Sequence, residues 1–326
     1  MKSLLSGHGR RARPRTPILM KSLTWPVLIA SLFGSGASAI HACGQLQPAQ
    51  FITASAVPAG GQRSNGSNEA LGTGHARWLP IVLFGEVHDN AAQHALRLEA
   101  LKTLLLEGAR PALLLEQFDR ERQADIDRLR AGGAAPNADQ IIRAGSGAAA
   151  SETRLWNWNF YRPMIELALA YKLPIIAANV SREDTRAVIK DGLAAHGFNA
   201  LVPADIEQAQ AEAIELSHCG MLDAAQARRM AAAQIARDQY MARLVELHAE
   251  RGAVLLAGNG HVRVDVGVPR WLKPATRQRT EAIGLLEEGD FTAEEARAAY
   301  DHVFTTPKQL REDPCKAMRG AAPART

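Results

Sequence analysis

The chain has 326 residues, 47% hydrophobic and 22% charged, which is enough apolar content for a full core and too little charge for a disordered chain. The pI is about 9.1, but six of the 38 Lys and Arg residues fall in positions 1–42, where there is no acid, leaving 32 against 34 acidic residues. The body of the chain is therefore near neutral, and a nucleic-acid partner loses its main support.

From Met20 the chain reads MKSLTWPVLIASLFGSGASAIHACG: a Lys, an apolar run and then small residues, the pattern of an export signal over 20–42. The run is too short and too rich in Gly and Ser for a good membrane span. A second Met-Lys-Ser at Met20 makes 1–19 an upstream extension. Residues 40–43, IHAC, are similar to a bacterial lipoprotein cleavage box, which would put a lipid on Cys43 and tether the protein to the membrane. The alternative is cleavage after Ala39 or Ala42 and a soluble periplasmic product. Cys219 and Cys315 then remain, and in an oxidising compartment they either pair or stay as separate thiols. A CxxCH motif is absent, which excludes covalent c-type haem. Residues 43–75, rich in Gly, Ser, Ala and Asn, read as a flexible tether.

Strand and helix signals alternate beyond the tether. The runs WLPIVLFGE (78–86), ARPALLLEQF (109–118), LPIIAANVS (173–181) and GAVLLAGNGH (252–261) are short and continuously apolar, as strands buried on both faces are. Between the first two, Ala95, Leu98, Leu101 and Leu105 give a helical stripe. A long helical stretch separates the last two, broken near 201–205 and at His218-Cys219-Gly220, with Asp223 as the N-cap of a helix running to about His248. Residues 279–287 and 302–305 read as late edge strands around a helix at 292–300. The expected fold is α/β, a mostly parallel sheet with helices on both faces plus a small all-helical lobe at about 183–250, within a domain spanning 76–318 and followed by a disordered tail at 319–326.

All four apolar runs end in polar residues: Glu86 and His88, then Glu116 and Gln117, then Asn179, then Asn259 and His261. The carboxyl ends of parallel strands line one edge, so these residues are expected to converge there. Glu86, His88 and His261 could form a two-imidazole, one-carboxylate shell for a catalytic divalent metal, a ligand-positioning network, or a purely structural cluster. The stretch LWNWNFYRP (155–163) concentrates Trp156, Trp158, Phe160 and Tyr161 in a chain with only 5% aromatic residues. Such a group packs a core, or walls a planar ligand with Tyr161 as an axial oxygen for haem iron. Tyr240 is the competing axial residue, and Arg162, Arg237 and Arg263 are candidate propionate partners. His94 reads as a structural residue at the start of the first helix. No GxSxG, GxxxxGK[ST] or HExxH motif occurs, and Gly258-Asn259-Gly260-His261 lacks the third Gly of a dinucleotide loop.

LFGEVHDNAAQH (83–94), LLLEQFD (113–119), WNWNFYRPMIELALAYKLPIIAANVSR (156–182), ARDQYMA (236–242) and LLAGNGHVRVDVGVP (255–269) resemble the ChaN-type haem-binding lipoproteins of the Tiki superfamily, as do YDHVFTTP (300–307) and REDPC (311–315). The resemblance implies an exported, membrane-tethered haem binder involved in haem or iron uptake or storage. It also implies non-covalent haem shared between two subunits, a Tyr as iron ligand, and an outer-membrane receptor as a partner. The wider superfamily includes metal-dependent Tiki proteases and erythromycin esterase relatives, whose Glu and His positions match Glu86, His88 and His261. A divalent-metal-dependent hydrolase is accordingly the alternative function.

Overall fold

Each apolar run becomes a strand: β1 (Ile81–Phe84), β2 (Ala112–Asp119), β3 (Ile175–Asn179) and β4 (Ala253–Leu256). The structure, a computed structural model, describes residues 80–147, 156–313 and 315–316. The expected extension, signal, tether, Cys43 and 319–326 tail lie outside those residues. Among the described residues, β5 (Thr280–Glu287) and β6 (His302–Thr306) complete a six-stranded sheet in the order β3-β2-β4-β1-β5-β6, with every neighbouring pair parallel. β5 is therefore not an edge strand, as its sequence suggests, but lies between β1 and β6; helices cover it, and its residues from Ala282 to Glu287 are all buried.

Alternate residues of each strand feed two cores, because successive side chains point to opposite faces. Val82 and Phe84 join α1 (Ala91–Leu106), α2 (Gln123–Ala131), α3 (Ala138–Ser146) and α4 (Trp158–Ala170) on one face. Ile81 and Leu83 pack on the other, against the second half of α7 (Ala224–His248), α8 (Asn259–Val262) and α10 (Ala293–Ala299), with α9 (Pro274–Arg277) nearby in the chain. A helical lobe follows β3. In it α5 (Arg182–Asp191), α6 (Ala204–Ser217) and the first half of α7 enclose Val188, Phe198, Ile206 and Ile235.

Local signals set the helix ends. Asp223 caps α7 in a reciprocal box with Gln226, and Thr292 caps α10 in the same way with Glu295. Asn90 caps α1 by accepting from the Ala92 and Gln93 amides. The inward face of α1 differs from the apolar stripe expected of it. Ala95 is exposed, and the face that starts as Leu105, Leu104 and Leu101 continues backward into Arg97, His94 and Gln93, all buried. Between α6 and α7 the backbone turns through positive φ at Cys219 and Gly220. There Cys219 forms a disulfide with Cys315, across a sequence separation of 96.

Candidate functional site

The chain leaves β1 toward α1 on one face and leaves the neighbouring β4 toward α8 on the other, which opens a crevice at their carboxyl ends. Two glycines allow the loops to close together there. A Cβ at Gly85 would stand 2.2 Å from Asn259 Oδ1, and one at Gly258 would stand 3.0 Å from the His88 ring. The Asn259 side chain, admitted by Gly85, donates to Leu285 O at 2.6 Å and accepts from Leu285 N at 3.1 Å. It is thus a tie to β5 rather than a crevice group.

Glu86 is buried beneath His88. Its carboxylate accepts from the Tyr161 hydroxyl at 2.5 Å and bonds His88 Nδ1 at 2.7 Å, and its other oxygen is ion-paired to the fully buried Arg97. Burial alone would raise the Glu86 pKa, but the Arg97 charge and the His88 bond outweigh it and hold it below the ordinary value. His94 is fixed as a neutral imidazole. Its Nε2 donates to the His88 carbonyl at 2.9 Å and its Nδ1 accepts from Arg97 at 2.9 Å, while burial and the Arg97 charge lower its pKa to about 4. His94 Nδ1 also lies 3.3 Å from Glu86, but both atoms are acceptors, and Arg97 is the donor between them. His88 itself is half exposed, with its pKa raised because the Glu86 bond and the Glu116 charge outweigh burial.

A second network lies on the other side of the crevice. His261 Nδ1 sits 2.6 Å from Asp238 and its Nε2 3.5 Å from Glu116, whose second oxygen accepts from Gly258 N at 2.7 Å. Burial opposes a charge on His261, but the two carboxylates outweigh it and raise the pKa to about 10. Glu116 is held at about 2 against burial, chiefly by His261, whereas burial pushes Asp238 up to about 6. Gln210 of the lobe donates to the far oxygen of Asp238 at 3.2 Å. The helical lobe is thereby wired to the sheet edge.

The expected metal shell does not form. Glu86 is occupied by Arg97, Tyr161 and His88, and His261 is enclosed by two carboxylates. Among the described residues no group of three or more His, Cys, Asp or Glu side chains is arranged to hold a metal ion.

The residues proposed for haem contact separate. Tyr161 is fully buried, and burial and Glu86 both raise its pKa, so its hydroxyl braces Glu86 rather than presenting a phenolate. Tyr240 lies on the opposite face of the sheet, its hydroxyl 3.4 Å from Ala177 O and Arg120 over its ring. Arg162 pairs with Asp139, Arg263 with Asp265, and Arg237 with Asn179, which in turn donates to Asp119. The aromatic cluster divides between core and rim: Trp158 stacks on Phe118, and Trp156 meets the His88 ring edge-on at 4.7 Å. At the end of β2 the buried Gln117 amide has neither of its polar atoms bonded.

Arg97 and Asp238 escaped the sequence reading as members of this site. Each had a signal: a charged residue inside an apolar helical stripe, Asp238 between Ile235 and Met241, and Arg97 one turn before Leu101. An ionisable group at such a position is buried, and it stays charged only if it is paired.

ChaN of Campylobacter jejuni, described with cofacial haem binding, aligns with a TM-score of 0.55 at 18% identity, over 68% of this chain and 86% of that one. The type III effector HopBA1 aligns at 0.42 with 9% identity, over 71% and 88% of the two chains. A mutant of the erythromycin esterase EreC, in its open conformation, aligns at 0.36 with 14% identity, over 65% and 71%. No curated protein matches the chain. The first of these likenesses establishes a shared fold, and the family described as haem-binding uptake, Tiki superfamily, ChaN matches residues 76–272, so the chain belongs to that family.

Proposed function

We propose that the protein binds haem non-covalently at the crevice between the ends of β1 and β4. The observation that carries this reading is the half-exposed His88 with Trp156 against its ring, at a parallel-sheet crevice, in a chain of a haem-binding family. The residues fit a flat, largely apolar ligand with a few polar handles. Trp156 and Trp158 are partly exposed, and the buried Gln117 amide at the end of β2 has no bonded partner. Haem would be carried here as cargo. A role in uptake or storage at the cell envelope extends the reading, with export, a lipid on Cys43, a homodimer sharing haem and an outer-membrane receptor as partner. It is supported by the N-terminal sequence and the family description.

Titration of the purified protein with hemin, followed by absorbance, should give a saturable Soret band. A flat titration would remove the reading. Tyr161→Phe and Tyr240→Phe should both leave the band in place, because the first hydroxyl is buried against Glu86 and the second lies on the opposite face of the sheet; a band weakened by either would contradict that placement.

A further inference from the structure

Protein side chains that hold haem iron are chiefly His, Tyr, Cys and Met, and the chain has four tyrosines, Tyr161, Tyr171, Tyr240 and Tyr300. None of them brings a hydroxyl to the crevice. Tyr161 is buried against Glu86, and Tyr240 lies on the other face of the sheet with its hydroxyl near Ala177 O. Tyr300 is buried over Gly284 and donates to Asn259 O at 3.3 Å. Tyr171 follows α4 and precedes β3, at the amino end of the sheet, with Arg110 over its ring. The tyrosine ligand implied by the family resemblance therefore has no candidate here. Among the described histidines the choice is as narrow. His94 has both nitrogens bonded, and His261 is held between Asp238 and Glu116. His196 and His218 belong to the lobe, while His248 and His302 lie at the amino ends of β4 and β6. His88 remains.

The loop that carries His88 is fixed residue by residue. Val87 N donates to Gln93 Oε1 at 2.6 Å, the His88 carbonyl accepts from His94 at 2.9 Å, and Asp89 pairs with Arg311. The ring is fixed as well: its Nδ1 lies 2.7 Å from the Glu86 carboxylate, and Trp156 meets it edge-on. A carboxylate at Nδ1 keeps a proton there, so the neutral ring has its lone pair on Nε2 and is a stronger base toward a metal. Nε2 has no bonded partner among the described residues, although the side chain is half exposed. Gly258 keeps the space beside it clear, since a Cβ at that position would stand 3.3 Å from the nitrogen.

We infer that His88 Nε2 is the axial ligand of the haem iron, with Glu86 as the residue that positions the ring and strengthens its bond to the metal. The inference rests on the haem reading above and names the iron's partner within it: an imidazole nitrogen in place of a phenolate oxygen. Coordination uses the neutral ring, so a His88 that carries a proton on Nε2 releases it to water as the bond forms. Arg97 contributes at one remove, by keeping the Glu86 carboxylate charged beneath the ring.

The test is resonance Raman spectroscopy of the purified protein loaded with hemin and then reduced, which reads an iron–imidazole stretch directly. The wild type should show that band, and Tyr161→Phe and Tyr240→Phe should leave it unchanged. His88→Gly should lose it and bind hemin about tenfold or more weakly, and added imidazole, seated in the vacated space, should restore it. Circular dichroism checks the fold of each variant; the wild-type spectrum decides the question if His88→Gly does not fold. Glu86→Gln, made together with Arg97→Met so that no charge is stranded, should keep the band and move it to lower frequency. An unmoved band there would overturn the part given to Glu86. Saturable hemin binding with no iron–imidazole band in the wild type would overturn the ligation and leave the haem reading standing, as would a full-strength band in His88→Gly without added imidazole. A flat hemin titration would remove both.

Discussion

Replacing Arg97 with Met should destabilise the protein by about 3–5 kcal/mol, because it strands the Glu86 carboxylate in a site with no other cation of fixed charge. Arg97 is fully buried, ion-paired to Glu86 and bonded to His94, which is itself neutral. Adding Glu86→Gln to that variant should recover more than half of the loss, since the amide can still accept from Tyr161 without carrying charge. Urea denaturation of the wild type, both single variants and the double variant gives the cycle. A loss below about 1 kcal/mol for Arg97→Met, or no recovery in the double variant, would contradict the view that this pair is the electrostatic base on which His88 rests.

The second large effect is in the response to alkali. His261 holds its proton up to about pH 10, against 6.5 for an ordinary imidazole, so its contribution is complete below 6.5 and disappears as the pH rises through 10. His88, also raised, adds in the same sense. Stability should fall by about 2–4 kcal/mol between pH 6.5 and 10, a figure reduced for the tight coupling of His261 to its two carboxylates. The acid side is flatter. His94, lowered to about 4, loses stability as the pH falls from 6.5, while Asp238, raised to about 6, gains it over nearly the same interval. Glu116, held at about 2, gives way only between pH 4.5 and 2. His261→Asn should cost about 3–5 kcal/mol at neutral pH by stranding Asp238 and Glu116, and should abolish most of the alkaline fall. Urea midpoints from pH 6 to 10 check this, and an alkaline fall of wild-type size in the variant would refute the assignment.

Much of the fold was legible because it rests on local patterns. Continuous apolar runs announced strands buried on both faces, and the polar residues ending them met at one edge, as parallel strands require. Strand order was not legible. β5 reads like any late strand, and only the crossover from β4 places it against β1, inside the sheet. Partner choice was hidden for the same reason. Arg162 and Arg263 look available for an anionic ligand until folding sets Asp139 and Asp265 beside them. Tyr161 belongs to a genuine aromatic cluster, but α4 turns its hydroxyl onto Glu86, 75 residues earlier in the chain. The helices did carry usable information in their exceptions, where Arg97, His94 and Asp238 interrupt otherwise apolar faces.

The most direct test of haem binding at this crevice is the hemin affinity of the wild type against His88→Ala and Trp156→Ala, each with its fold verified by circular dichroism. Removing either the half-exposed imidazole or the indole edge-on to it should weaken binding by about tenfold or more. Hemin bound with unchanged affinity by both variants would place the ligand elsewhere and contradict the assignment of this crevice.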